Sequence, residues 1–164
     1  MIVGISGHQD LETYDQEWIR KTILDLIDTY SITKGVSSLA RGADQLFARC
    51  IIEKGLKLIV VIPCKNYETT FRSDSDKKVF NELFQRASKK IELPFPKPNE
   101  EAFYQAGIAV LNFSDTMIVV WDGKNAKGWG GTGDIAEQAK RRKKSFFHIN
   151  PTDKTIYRWT GTNK

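Results

Sequence analysis

Short apolar, β-branched runs alternate with amphipathic stripes along most of the chain, and this alternation restricts the fold more tightly than any other feature of the sequence. Residues 1–6 read as a first strand, and residues 14–30 place Trp18, Ile19, Ile23, Leu26, Ile27 and Tyr30 on one helical stripe. Residues 35–37 suggest a short second strand. Residues 43–54 then carry a stripe of Leu46, Phe47, Cys50 and Ile51 that ends at Gly55. Residues 56–62, Leu-Lys-Leu-Ile-Val-Val-Ile, are apolar on both faces and stop at Pro63, as a buried strand does. Ser73-Asp74-Ser75-Asp76 offers N-caps for a helix to about residue 90, Pro94-Phe95-Pro96-Lys97-Pro98 breaks the chain, and residues 100–113 form a further helix. Residues 116–121 read as a fourth strand, the glycine-rich stretch 122–133 opens a helix to about residue 142, and residues 145–149 close as a fifth strand.

Such an order predicts an α/β, Rossmann-like three-layer domain: a mostly parallel five-stranded sheet in the order 3-2-1-4-5 with helices on both faces. The 164 residues suit one domain, which we place at residues 1–150, followed by a C-terminal tail at 151–164 with a candidate edge strand at 155–159. Ligands of such sheets bind outside the carboxyl ends of the strands where the order reverses, here between strands 1 and 4. The loops leaving those two strands are the most glycine-marked of the chain: Ser6-Gly7-His8-Gln9 and Gly128-Trp129-Gly130-Gly131-Thr132-Gly133.

The formal charge of +5 invites a nucleic-acid partner until it is located. Of 25 basic side chains, eight (Lys140, Arg141, Arg142, Lys143, Lys144, Lys154, Arg158, Lys164) lie in the last 25 residues, with Asp153 as the one acid among 20. The first 139 residues therefore hold 17 bases and 19 acids, a slightly acidic body. The run at 140–144 ends a helix, where cations complement the dipole, and reads as a solvated helix end; nucleic acid is a possible but not a favoured partner. No cationic, apolar leader opens the chain and no window approaches a membrane span, so a cytoplasmic protein without membrane contact is expected. Cys50 and Cys64 lack metal or disulfide spacing and read as buried free thiols. No metal and no resident cofactor is expected.

The chemistry-bearing residues gather on three loops. Glycines at Gly130, Gly131 and Gly133, with Thr132, let backbone amides approach an anion just where a helix N-terminus adds free N–H donors. The spacing is neither that of a Walker loop nor the dinucleotide GxGxxG pattern. The turn after strand 2 repeats the arrangement: Ser38 and Arg41 could contact phosphate and Asp44 a ribose hydroxyl. From strand 1, Ser6, Gly7 and His8 face the same crevice, and His8 can donate to phosphate or act as acid or base. Asp134 could cap its helix or face the ligand, and Tyr67 and Trp129 could stack a base. The base would lie near His8 and residues 94–98, which have the composition of a lid or an oligomer contact. His148, within an apolar strand, reads as a core histidine.

Two of these stretches carry a family resemblance. Val36-Ser37-Ser38-Leu39-Ala40-Arg41-Gly42-Ala43-Asp44 resembles the V-S-G-L-A-R-G-x-D signature of the DNA-processing protein DprA family, with Ser38 in place of a glycine. Gly130-Gly131-Thr132-Gly133-Asp134-Ile135-Ala136-Glu137 resembles the P-G-G-x-G-T-x-x-E signature of LOG-type phosphoribohydrolases, with Asp134 in place of the threonine and no proline before Gly130. Both families belong to the SLOG superfamily, whose small members are also similar in the strand-1 start Gly4-Ile5-Ser6-Gly7-His8, in Ser114-Asp115 and in Trp121-Asp122-Gly123. The resemblance spans about residues 2–148. It implies a nucleotide-derived small molecule as ligand, ADP-ribose-like or a cyclic nucleotide, bound by a sensor or sequestering protein of the kind found in antiphage signalling. It implies two alternatives as well: a LOG-type N-glycosidase using Glu137 as catalytic carboxylate, and a DprA-like binder of single-stranded DNA. A homodimer or tetramer is implied by the same resemblance.

Overall fold

In the computed structural model, which describes residues 1–125 and 130–162, β1 (Ile2–Gly7) runs through the middle of a mostly parallel sheet. The chain continues through α1 (Gln16–Thr29), β2 (Lys34–Ser37), α2 (Ala43–Glu53), β3 (Lys57–Ile62), a 3-10 turn at Tyr67–Thr70, α3 (Asp74–Gln85) and β4 (Lys89–Glu92). It returns through α4 (Glu100–Phe113), β5 (Thr116–Val120), α5 (Thr132–Arg141), β6 (Phe146–Asn150) and β7 (Thr155–Trp159). The strand order is β4-β3-β2-β1-β5-β6-β7. All neighbours are parallel except β6 and β7.

The three layers follow from strand alternation. On β5, Ile118 and Val120 join the core under α1, α2 and α3, while Met117 and Val119 join the core under α4 and α5. A β-branched run apolar at every position is what a strand covered on both faces requires. The helices start where the sequence offers caps: Asp15, Ser73 and Asn99 accept the backbone N–H of Trp18, Asp76 and Ala102. Ser114-Asp115 is structural. The Asp115 carboxylate accepts the Ile2 N–H at 2.7 Å and its own N–H donates to the Ile2 carbonyl, clamping the start of β1.

The predicted order of the five inner strands is present as β3-β2-β1-β5-β6, but the sheet has seven strands among the described residues, not five. The first addition, β4, is a four-residue Lys-Lys-Ile-Glu edge that lies where the pattern reads as the end of a helix. α3 stops at Gln85, and Ser88 then donates both its N–H and its Oγ–H to the Leu58 carbonyl, tying the chain to the edge of β3. So short and polar a strand leaves no periodic signal. The second, β7, folds back antiparallel on β6 through an Asn150–Asp153 turn in which both side chains accept backbone N–H groups. No helix among the described residues is long and apolar enough to cross a membrane.

Candidate functional site

Parallel strands end on one side of the sheet, and there the loops of β1, β2 and β5 surround a cleft of about 1040 Å³. Ser6, Gly7 and His8 enter it from β1, Ser38, Arg41 and Asp44 from the β2–α2 turn, and Gly130, Gly131, Thr132 and Gly133 from the start of α5. Three sequence-distant loops thus meet in one place. Two expected residues do not line it. Asp134 turns back within its own loop, where its carboxylate accepts the Gly130 N–H at 2.8 Å. Glu137 lies on the exposed side of α5, 3.5 Å from the Arg141 guanidinium, and is absent from the cleft lining. Trp129 lies outside the described residues.

Backbone conformation shapes the β2–α2 turn. Leu39 and Gly42 both have positive φ, +55° and +78°. At Gly42 a side chain is excluded twice over: the φ suits glycine, and a Cβ would stand 2.4 Å from the His8 carbonyl oxygen. That carbonyl accepts the Ala43 N–H at 3.0 Å, so the β1 loop is held against the first turn of α2. The imidazole of His8 accepts the Asp122 backbone N–H on Nε2 at 3.0 Å and stacks on Tyr14. The Asp122 carboxylate stands 3.4 Å from the same Nε2. Burial pushes that carboxyl up, but the Lys124 N–H and the nearby His8 and Lys124 outweigh it and hold it below its ordinary value.

Asp44 is the most perturbed acid of the cleft. Only 7% exposed, it is pushed up to about 7 by burial, against the opposing effect of the Ala40 and Ser38 backbone N–H groups and the Ser37 hydroxyl. Beside it the Ser38 Oγ is withdrawn from solvent and has no hydrogen-bond partner among the described residues. Arg41, the cation of this turn, points to Asp76 at 3.6 Å.

At α5 the N-cap is Gly131 in an extended conformation with no side-chain cap, so the N-terminal donors of the helix are not consumed by a capping group. Gly130 makes the preceding turn at φ +86°.

The wall opposite comes from residues that local sequence did not mark. Arg72 and Phe71 sit between the 3-10 turn and α3, Phe103, Ala106 and Gly107 on α4, and Lys124 after β5. A lone Arg or Lys in a polar loop carries no motif; only the fold brings these to the rim. Tyr67 also lines the cleft but is itself buried, packed edge-on to Phe71 and Phe80. None of residues 94–98 reaches the cleft. Pro94 and Phe95 instead line a separate groove of about 300 Å³ with α4 residues Glu101, Gln105 and Ile108.

The basic run lies at the far end of α5, and much of it is engaged. Arg142 donates to the Asn112 amide oxygen at 2.6 Å, and Lys144 donates to the carbonyls of Leu111 and Ser114 at the end of α4. His148 is half-buried in β6, its Nε2 bonded to the Trp121 carbonyl at 2.7 Å.

The sequence matches no protein-family model and no curated protein. Solved structures do resemble the fold. DprA from Streptococcus pneumoniae superposes with a TM-score of 0.65 at 19% identity, over 90% of this chain and 49% of that one. DprA from Helicobacter pylori, described for its binding of single-stranded DNA, gives 0.64 at 21%, over 90% and 64%. The Moco carrier protein of Chlamydomonas rheinhardtii gives 0.53 at 14%, over 91% and 75%. The chain thus spans about half of one DprA and less than two thirds of the other. At these identities the likeness is one of fold: the chain shares with them a Rossmann-like α/β domain built on a mostly parallel sheet.

Proposed function

We propose that the protein binds a phosphorylated nucleotide or NAD-derived small molecule, ADP-ribose-like or a cyclic nucleotide, in the cleft at the carboxyl ends of β1, β2 and β5, as a sensor or sequestering protein. The observation that carries this reading is the uncapped N-terminus of α5 opening, behind its glycine turn, into a cleft large enough for a nucleotide. Anions are stabilised at such an end by free N–H donors and the helix dipole. Arg41, Arg72 and Lys124 on the rim add positive charge that a phosphate would meet on entry.

Thermal shift against AMP, ADP-ribose, its cyclic isomers and cyclic dinucleotides tests it. Binding to the folded state raises the melting temperature. Gly131→Asp places a carboxylate on the anion's position and should abolish that shift. No stabilisation by any member of the panel overturns the reading.

Two other activities have distinct signatures. A LOG-type N-glycosidase needs a carboxylate near the sugar, a position that Asp10, Asp44 and Asp122 occupy more nearly than the exposed Glu137. Base released from AMP or NAD would establish the activity, and its loss in Glu137→Gln or in Asp122→Asn would tell which carboxylate serves it. Single-stranded DNA binding, the property of the Helicobacter pylori DprA, would appear as salt-dependent oligonucleotide affinity. The homodimer or tetramer that the resemblance implies is checked by light scattering.

A further inference from the structure

We propose that the β2–α2 turn is a sugar subsite, where Asp44 and Ser38 take the vicinal hydroxyls of a ribose, so that the cleft selects ribonucleotides over their deoxy counterparts. The inference rests on the nucleotide reading of the cleft and divides its labour: phosphate at the α5 glycines, hydroxyls at the β2–α2 turn.

Two observations at this turn point to a neutral polar ligand. The Ser38 Oγ is buried and has no partner among the described residues although Ser38 lines the cleft, and a buried hydroxyl without a partner is a rare and costly arrangement. A ligand hydroxyl can both donate to it and accept from it. Asp44 reaches the same wall with a carboxyl that stands near the Ala40 and Ser38 backbone N–H groups, while the Ser37 hydroxyl donates to the Asp44 backbone carbonyl at 3.3 Å; with about four lone-pair sites, the carboxyl can still accept from a ligand.

The same turn is poor for phosphate. Its acid is buried, and any ionised fraction would repel an anion. Its cation, Arg41, is directed to Asp76 and does not neutralise Asp44. Tyr67 adds a second sign of a low-dielectric wall: burial, then the nearby Asp44, push its phenol up. A ribose diol avoids these penalties and gains hydrogen bonds in a site shielded from water. A sugar without one hydroxyl leaves buried groups unpaired, which is how such sites discriminate.

The test is calorimetric titration of the full chain with AMP, 2′-deoxy-AMP, 3′-deoxy-AMP and ADP-ribose. The expected result is affinity for AMP at least tenfold above that for one or both deoxy forms. Ser38→Ala should weaken AMP several-fold and leave the deoxy form lacking Ser38's partner hydroxyl unchanged. That variant removes an unpaired group and should fold normally, which covers the case in which Asp44→Asn, expected to bring the ribose-to-deoxyribose ratio towards one, fails to fold. Gly131→Asp should weaken all four ligands alike. Equal affinity for AMP and both deoxy forms overturns the sugar subsite while the phosphate reading stands. Binding of none of the four overturns both.

Discussion

The β2–α2 turn and the β5–α5 loop are built on one plan and do different things. Each follows a parallel strand, bends at a glycine of positive φ, and starts a helix at a glycine N-cap without a side-chain cap. In the first, the space is full: the His8 and Gln9 carbonyls press on Gly42, and His8 takes the Ala43 N–H. In the second, the nearest atom to a Cβ on Gly130 is Tyr104 Cβ at 3.2 Å, and the helix start opens to the cleft. Glycine serves close packing in one place and access in the other. Similar motifs therefore carry different chemistry, a buried acid in one and backbone N–H donors that open to the cleft in the other.

One added methyl group in each turn separates them most strongly. Gly42→Ala meets backbone carbonyls on two sides in a conformation that side chains avoid, and should cost about 4 kcal/mol or more in urea unfolding. Gly130→Ala, also at positive φ, should cost only about 1–2 kcal/mol, because the nearest atom, Tyr104 Cβ, stands at 3.2 Å where Gly42 meets carbonyl oxygen at 2.4 Å. Equal losses would show that the two turns are packed alike.

The next largest effect lies in pH. Asp44 has a folded-state value of about 7 against an ordinary 3.8, so its neutral burial stabilises fully below pH 3.8. That contribution is lost as pH rises to 7, by on the order of 4 kcal/mol in total. Asp44→Asn cannot ionise, so its stability relative to the parent should climb from pH 4 to pH 7 and level off above. A relative stability that is flat with pH would mean that Asp44 is ionised in its pocket.

Smaller effects separate binding from folding. Gly131→Asp should lose roughly 100-fold or more in phosphate affinity yet gain about 0.3 kcal/mol of stability, since aspartate is a slightly better N-cap than the glycine that now stands there. Ser38→Ala should leave the melting temperature unchanged or slightly higher, because it removes a hydroxyl without a partner. A clear fall would reveal an internal partner for Ser38.

Much of this was legible from local pattern. The inner strand order follows from which runs are apolar on both faces and from the handedness of parallel crossovers. The glycine loops mark the crevice because backbone approach demands glycine. Less legible were β4, whose Lys-Lys-Ile-Glu has no periodicity, and the cleft wall at Arg72 and Phe103, which distant elements deliver. Asp134 and Glu137 show the limit within a single motif. Both are near the glycines in sequence, yet one carboxylate closes its own loop and the other follows the outer face of α5 towards Arg141. The charge count behaves similarly: Arg142 and Lys144 look like a free basic patch until the end of α4 engages them.

The sequence alone determined the class of fold, the inner strand order and the loops that meet at the switch point, because hydrophobic period and glycine placement are local properties of the chain. Tertiary structure decided the rest: which carboxyl is buried, which hydroxyl lacks a partner and which helix end stays open. Those depend on desolvation and on neighbours far apart in the chain, and neither is written in any short stretch of residues.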